Sequence, residues 1–139
     1  MRLVLDTSVM VAALRSPSGA SAELLRMARH QKFELLVSVA MILEYEAVLK
    51  RSEHLVVAGL TAEDVDDLLD AMCAFAKPVT NHYRWRPLLT DPDDDLVLET
   101  AANGAANAIV TFNVFDFQLA NTRFGIDVER PGQILRRIR

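Results

Sequence analysis

The sequence predicts an α/β fold, a parallel sheet covered by helices on both faces, and three observations carry that expectation. Short apolar runs without polar alternation, such as Leu3-Val4-Leu5 and Ala108-Ile109-Val110-Thr111, have the length and composition of strands buried on both sides. Other segments recur at helical spacing, most strongly Val65, Leu68, Leu69, Met72 and Phe75. The two kinds of segment alternate along the chain, which is the pattern of a three-layer α/β/α arrangement.

Taken in order, Leu3-Val4-Leu5 is the first strand, Asp6-Thr7-Ser8 ends it, and Val9 to Leu14 forms a short helix. Ser16-Pro17-Ser18-Gly19 breaks the chain. Leu24, Leu25 and Ala28 give Ser21 to His30 a helical face. Glu34-Leu35-Leu36-Val37 is the second strand, and Ser38 stands where it can cap a helix running to about Arg51. Thr61-Ala62-Glu63-Asp64 reads as a capping box, with Asp in place of the usual Glu or Gln, ahead of the helix that reaches Phe75. Pro78 to Thr80 is a short strand, and Asn81 to Leu89 a loop holding Tyr83, Arg84, Trp85 and Arg86. Asp91 caps the next helix with Pro92 at its first position, and that helix ends near Asn103-Gly104. Ala108 to Thr111 is a buried strand, Ile126-Asp127-Val128 the last one, and Pro131-Gly132 opens a terminal helix. With no repeat, linker or low-complexity stretch, residues 1–139 are expected to form a single domain. Right-handed crossovers then bring the carboxyl ends of the strands to one edge, where such sheets build their sites.

Composition narrows the class. Apolar residues at 51% and charged residues at 24% describe an ordinary globular protein, not a disordered chain. The longest apolar run, Leu35 to Leu43, is broken by Ser38 and is too short to span a bilayer, and the start of the chain lacks a signal-peptide pattern. The single cysteine, Cys73, falls in an apolar helical stripe and is expected to be a buried thiol in a reducing compartment, with the cytoplasm as location. A net charge of −4 argues against a general nucleic-acid coating protein but not against a nuclease with clustered acids. Lys50-Arg51, Arg84 and Arg86, and Arg136-Arg137-Ile138-Arg139 are read first as solvated surface. The three histidines are isolated from one another and from Cys73, so no zinc pattern exists.

Four acids stand beside apolar runs, where unpaired charge is costly: Asp6, Glu44, Asp94 and Asp116. Asp6 follows the first strand and either projects from the carboxyl edge or caps the next helix. Glu44 shares a stripe with Met41, Ala40, Ala47 and Val48, and either has a buried partner or ion or lies at the stripe's rim. In Asp91-Pro92-Asp93-Asp94-Asp95 the helix dipole alone favours acids. Phase singles out Asp94, aligned with Val97, Leu98 and Ala101, with Asp95 as its rival. Asp116 lies between Phe115 and Phe117 after the strand, with Thr111 and Asn113 as neutral oxygen ligands or hydrogen-bonding groups; a capped turn is the competing account. Carboxylates without His or Cys suit hard cations, Mg²⁺ or Mn²⁺, and point to metal-assisted hydrolysis on a phosphate backbone.

These residues resemble a known family. Leu5-Asp6-Thr7-Ser8-Val9, Ser38 to Leu49 with Glu44, Asp91 to Glu99, and Val110-Thr111-Phe112-Asn113 through Asp116-Phe117 together are similar to a PIN domain, over essentially the whole chain and in the family's order. The nearest look-alikes are VapC-like proteins, toxin components of toxin–antitoxin systems. The resemblance implies a sheet of four or five parallel strands between helices and Mg²⁺- or Mn²⁺-dependent endoribonuclease activity. It carries the metal-holding, catalytic acids over to Asp6, Glu44, Asp94 and Asp116, with Thr7, Ser8, Asp95, Thr111 and Asn113 in support. It also implies an RNA substrate, a homodimer and an antitoxin that inserts a segment into the acidic cleft. Three positions depart from the pattern. Ser8 stands where Asn is common, Asn113 where many relatives have Asp, and Asp116 one residue further along than usual. Two other functions compete: a catalytically weak PIN-like module binding RNA or a protein, and an aspartate-dependent phosphatase. The second normally wants another Asp at position 8, where this chain has Ser8.

Overall fold

A computed structural model describes residues 1–82, 89 and 91–139. Five strands form one sheet: β1 (Arg2–Leu5), β2 (Glu34–Val37), β3 (Lys77–Pro78), β4 (Ala108–Val110) and β5 (Asp127–Glu129). Their order is β3-β2-β1-β4-β5 and every neighbouring pair is parallel. The centre is in register as Leu3 with Ala108, Val4 with Ile109 and Leu5 with Val110. Leu3, Val4 and Leu5 are each 0% exposed although successive side chains face opposite ways, so both faces of the sheet are covered. The three-layer α/β architecture expected from the sequence is therefore the one observed.

Eight helices are seen among the described residues: α1 (Thr7–Arg15), α2 (Ala20–Arg29), α3 (Val39–Leu49), α4 (Ser52–Ala58), α5 (Ala62–Phe75), α6 (Pro92–Asn103), α7 (Gln118–Phe124) and α8 (Pro131–Ile138). None is long and apolar enough to cross a membrane. Their starts follow local chemistry. Ser38 Oγ accepts the Met41 N–H to cap α3, and Asp91 accepts the Asp93 N–H with Pro92 at the first turn of α6. At α5 the capping box forms with its aspartate: Asp64 accepts the Thr61 N–H and Thr61 the Asp64 N–H.

Several expectations need correction. The strand placed at Pro78 to Thr80 is Lys77–Pro78, although Val79 N–H still donates to Val37 O at 2.8 Å; the last strand is Asp127–Glu129. Two helices and a turn had no forecast. α4 has no buried residue and leaves Val56 and Val57 exposed, so it offers no apolar stripe; its sign is the left-handed Gly59 at φ 68° that stops it. A 3-10 turn (Val114–Phe117) and α7 follow β4, each with a single buried residue, Phe117 and Ala120. Cys73, expected to be buried, is exposed. The buried stripe of α5 is Val65, Leu69 and Met72, and Cys73 stands a further step round the helix from Met72. Tyr83, Arg84, Trp85 and Arg86 lie outside the described residues.

The strand order reverses between β1 and β4. Strands β2 and β3 extend the sheet on one side of β1, while β4 and β5 extend it on the other. The crevice at the carboxyl ends of β1 and β4 is thus the switch point where open α/β sheets bind ligands.

Candidate active site

Asp6 leaves β1 at this switch point, tied to β4 by its N–H to Val110 O at 2.9 Å. It stands at the N-cap position of α1, yet its side chain makes no capping bond. Instead Oδ2 accepts two hydroxyls, Ser8 Oγ and Thr111 Oγ1, each at 2.7 Å. Each hydroxyl in turn accepts a backbone N–H from the turn after β4: Ser8 from Phe112 at 3.3 Å, Thr111 from Asn113 at 2.9 Å. With its lone pair occupied by an N–H, each hydroxyl has its proton aimed at the carboxylate. Asp6 is 5% exposed and Thr111 0%, so the start of one segment and the end of another, 105 residues apart, are fixed together in a buried network.

Glu44 is set by its neighbour. Tyr45 is 0% exposed and its hydroxyl donates to Leu5 O, which ties α3 to the end of β1 and holds Glu44 near Asp6. The buried face of α3 is Met41, Tyr45, Val48 and Leu49, and Ala47 is exposed. Glu44 therefore lies at the rim of that face, half-buried, which is the second of the two placements its stripe allowed. Burial, then Asp93, push its carboxyl above the ordinary range; Arg51 pulls the other way, and Asp91 and Asp6 add to the rise.

The acids opening α6 divide by role. Asp91 is spent as the cap. Asp95, not Asp94, is the buried one: it is 3% exposed and its Oδ1 accepts the Leu89 N–H at 3.0 Å. The inward phase assigned to Asp94 was thus one residue off, because a carboxylate can enter the core when it clamps a backbone amide. Asp94 is half-buried and belongs to the acid cluster. Its carboxyl is pushed up to about 7, first by burial and then by Asp6, Asp91, Asp116 and Asp93. Asp116 sits exposed in the 3-10 turn, between exposed Phe115 and buried Phe117.

Asp6, Glu44, Asp94 and Asp116 therefore gather with Asp91 and Asp93 on one edge of the sheet, near enough to act on one another's charge. Among the described residues, no three acids stand close enough to make a ready cage for an ion. The donor set of carboxylates and hydroxyls, without His or Cys, fits a hard dication. Thr7, the first residue of α1, is half-buried, and Asn113 is exposed at the start of the 3-10 turn. Tyr45 escaped the sequence reading; a tyrosine inside an apolar helix is its only signal. Asp93 figures there only as one member of the acidic run that opens α6.

The sequence matches the PIN domain family over residues 2–114. The chain belongs to the PIN domain family. The match contains Asp6, Glu44 and Asp94 and stops two residues short of Asp116. Two solved structures share the fold of this PIN domain. VapBC2 from Rickettsia felis, bound to a DNA fragment from their promoter, has 15% identity and a TM-score of 0.62, covering 94% of this chain and 98% of that one. VapBC-1 from nontypeable Haemophilus influenzae has 16% identity and a TM-score of 0.64, covering 95% and 99%. No curated protein matches the chain significantly.

Proposed function

We propose that this PIN domain, a single unit over residues 1–139, is a Mg²⁺- or Mn²⁺-dependent endoribonuclease and the VapC-like toxin of a toxin–antitoxin pair. The observation that carries the reading is the convergence of acids from four distant segments at the switch point, with two hydroxyls fixed on Asp6. Asp6, Glu44, Asp94 and Asp116 would hold the ion. When bound, such a cation activates water and stabilises the charge building on the phosphate. Around it, Ser8 and Thr111 keep Asp6 in one orientation, and Tyr45 keeps α3 against β1. With its carboxyl pushed up to about 7, Asp94 is partly protonated near neutrality, so holding a cation there would require release of that proton. Similarity to VapBC structures supports an antitoxin partner; a homodimer and a cytoplasmic location belong to the same reading.

Cleavage of a structured RNA during Mn²⁺ titration tests it. Asp6→Asn and Asp94→Asn should each lower the rate at least ~100-fold, on the scale of losing a charged group at the reacting centre. Full activity in both variants, or no metal-dependent cutting by the native chain, would overturn the nuclease. Among the described residues no three acids lie close enough to hold one ion, which favours one alternative, a PIN-like module that binds RNA or protein without cutting. RNA binding without cleavage, and a melting temperature indifferent to Mn²⁺, would establish it.

A further inference from the structure

Beside the acids, a second concavity of about 460 Å³ opens between the end of α1, the start of α2 and the start of α8. It takes in residues that immediately follow β4 and β5, so it lies on the same carboxyl edge. Its walls are largely apolar, with Arg130, Arg136 and Ser21 among them. Arg137, next in sequence, is occupied by Asp127 and Glu129. By contrast, no carboxylate pairs with Arg130 or Arg136 among the described residues. Arg136 turns back along α8, its Nη1 3.7 Å from where a Cβ on Gly132 would stand. Ser21 is 4% exposed, and its hydroxyl has no hydrogen-bond partner among the described residues.

The cavity shares a wall with the acid cluster. Phe112, 39% exposed, lines it, while the Phe112 N–H is held by Ser8, which also binds Asp6. A chain of net charge −4 whose active edge is acidic repels a polyanion, so local cations must hold the RNA near the acids. Two unpaired guanidinia suit a phosphate, and an apolar floor beside an aromatic ring suits a base. The volume is that of an ordinary small-ligand site.

We propose that this cavity holds one nucleotide of a single-stranded RNA next to the cleaved phosphate. Arg130 and Arg136 take phosphate oxygens, Ser21 donates from within, and the Phe112 ring lies against the base. The location beside a cleaved phosphate rests on the nuclease reading above; RNA binding in the cavity can be tested without it.

Anisotropy of a short labelled oligouridylate, in EDTA, reads binding in the absence of cleavage. Arg130→Gln with Arg136→Gln should weaken it at least ~10-fold and flatten the dependence of log K on log salt by about 1.4, from two single-strand phosphate contacts at ~0.7 each. Both arginines are exposed, so an unchanged melting temperature should accompany the loss. Lysine at both positions should restore the salt slope, and Phe112→Leu should weaken binding with the slope unchanged. Unaltered binding in the glutamine pair, or none by the native chain, overturns the proposal. Preference for polyglutamate over oligouridylate overturns it in favour of an acidic protein segment. Arginine-dependent RNA binding without Mn²⁺-dependent cutting leaves the RNA site standing and removes the nuclease.

Discussion

Asp94→Asn should stabilise the ion-free protein by an amount that grows as pH rises from about 4 to 7 and is complete above that. Raising this carboxyl from an ordinary 3.8 to about 7 is worth at most ~4 kcal/mol, at ~1.4 kcal/mol per pH unit. The group is half-exposed, so solvent screening leaves ~1–2 kcal/mol. The sign follows from proton binding. Between roughly pH 4 and 7 the folded chain keeps a proton that the unfolded chain has released, so stability falls as pH rises through that window. Below it both states are protonated and the effect vanishes; above it the penalty is complete. Thermal unfolding in EDTA should therefore show the asparagine variant melting ~3–8 °C above the native protein at pH 8, a shift scaled to a domain of this size. The two should coincide near pH 4. Adding Mn²⁺ at a hundredfold excess over its dissociation constant should stabilise the native protein by ~2.7 kcal/mol and the variant far less. An equal melting difference at both pH values, or an equal response to Mn²⁺, would refute the reasoning.

Three other substitutions separate the parts of the site. Thr111→Val keeps the shape but frees the Asn113 N–H and removes one hydroxyl from Asp6; urea unfolding should show a loss of ~1–3 kcal/mol, with weaker Mn²⁺ stabilisation. Asp95→Ala removes the acceptor of the Leu89 N–H, so it should destabilise by a similar ~1–3 kcal/mol while leaving the Mn²⁺ response intact, unlike Asp94→Asn. Gly104→Ala places a Cβ 2.8 Å from Leu36 Cδ1 and 2.9 Å from Val79 Cγ2, and calorimetry should register ~1–3 kcal/mol of overpacking.

The central strands were legible because each is a short apolar run, and α5 and α6 because their caps are written in the residues that open them. Burial phase was less legible. Asp94 and Asp95 differ by one position, and the clamp that draws Asp95 inward comes from Leu89, outside the helix. α4 and α7 carry almost no apolar periodicity, since they rest on the rest of the fold without a stripe of their own. Cys73 fell on the wrong side because its stripe was read one residue too wide. Candidate acids stand out in the sequence, since charge beside apolar runs is conspicuous. The two hydroxyls on one oxygen of Asp6 do not, because they require β1 and β4 to be neighbours.

That neighbour relation also orders events in time. On the ribosome β1 emerges before its partner β4, which follows about a hundred residues later along with Thr111 and Asp116. Until then one long edge of Leu3-Val4-Leu5 is open and the carboxylates have nothing to converge upon. A chain cut before β4 should accordingly leave that edge of β1 unpaired and lack the hydroxyl that Thr111 lends to Asp6.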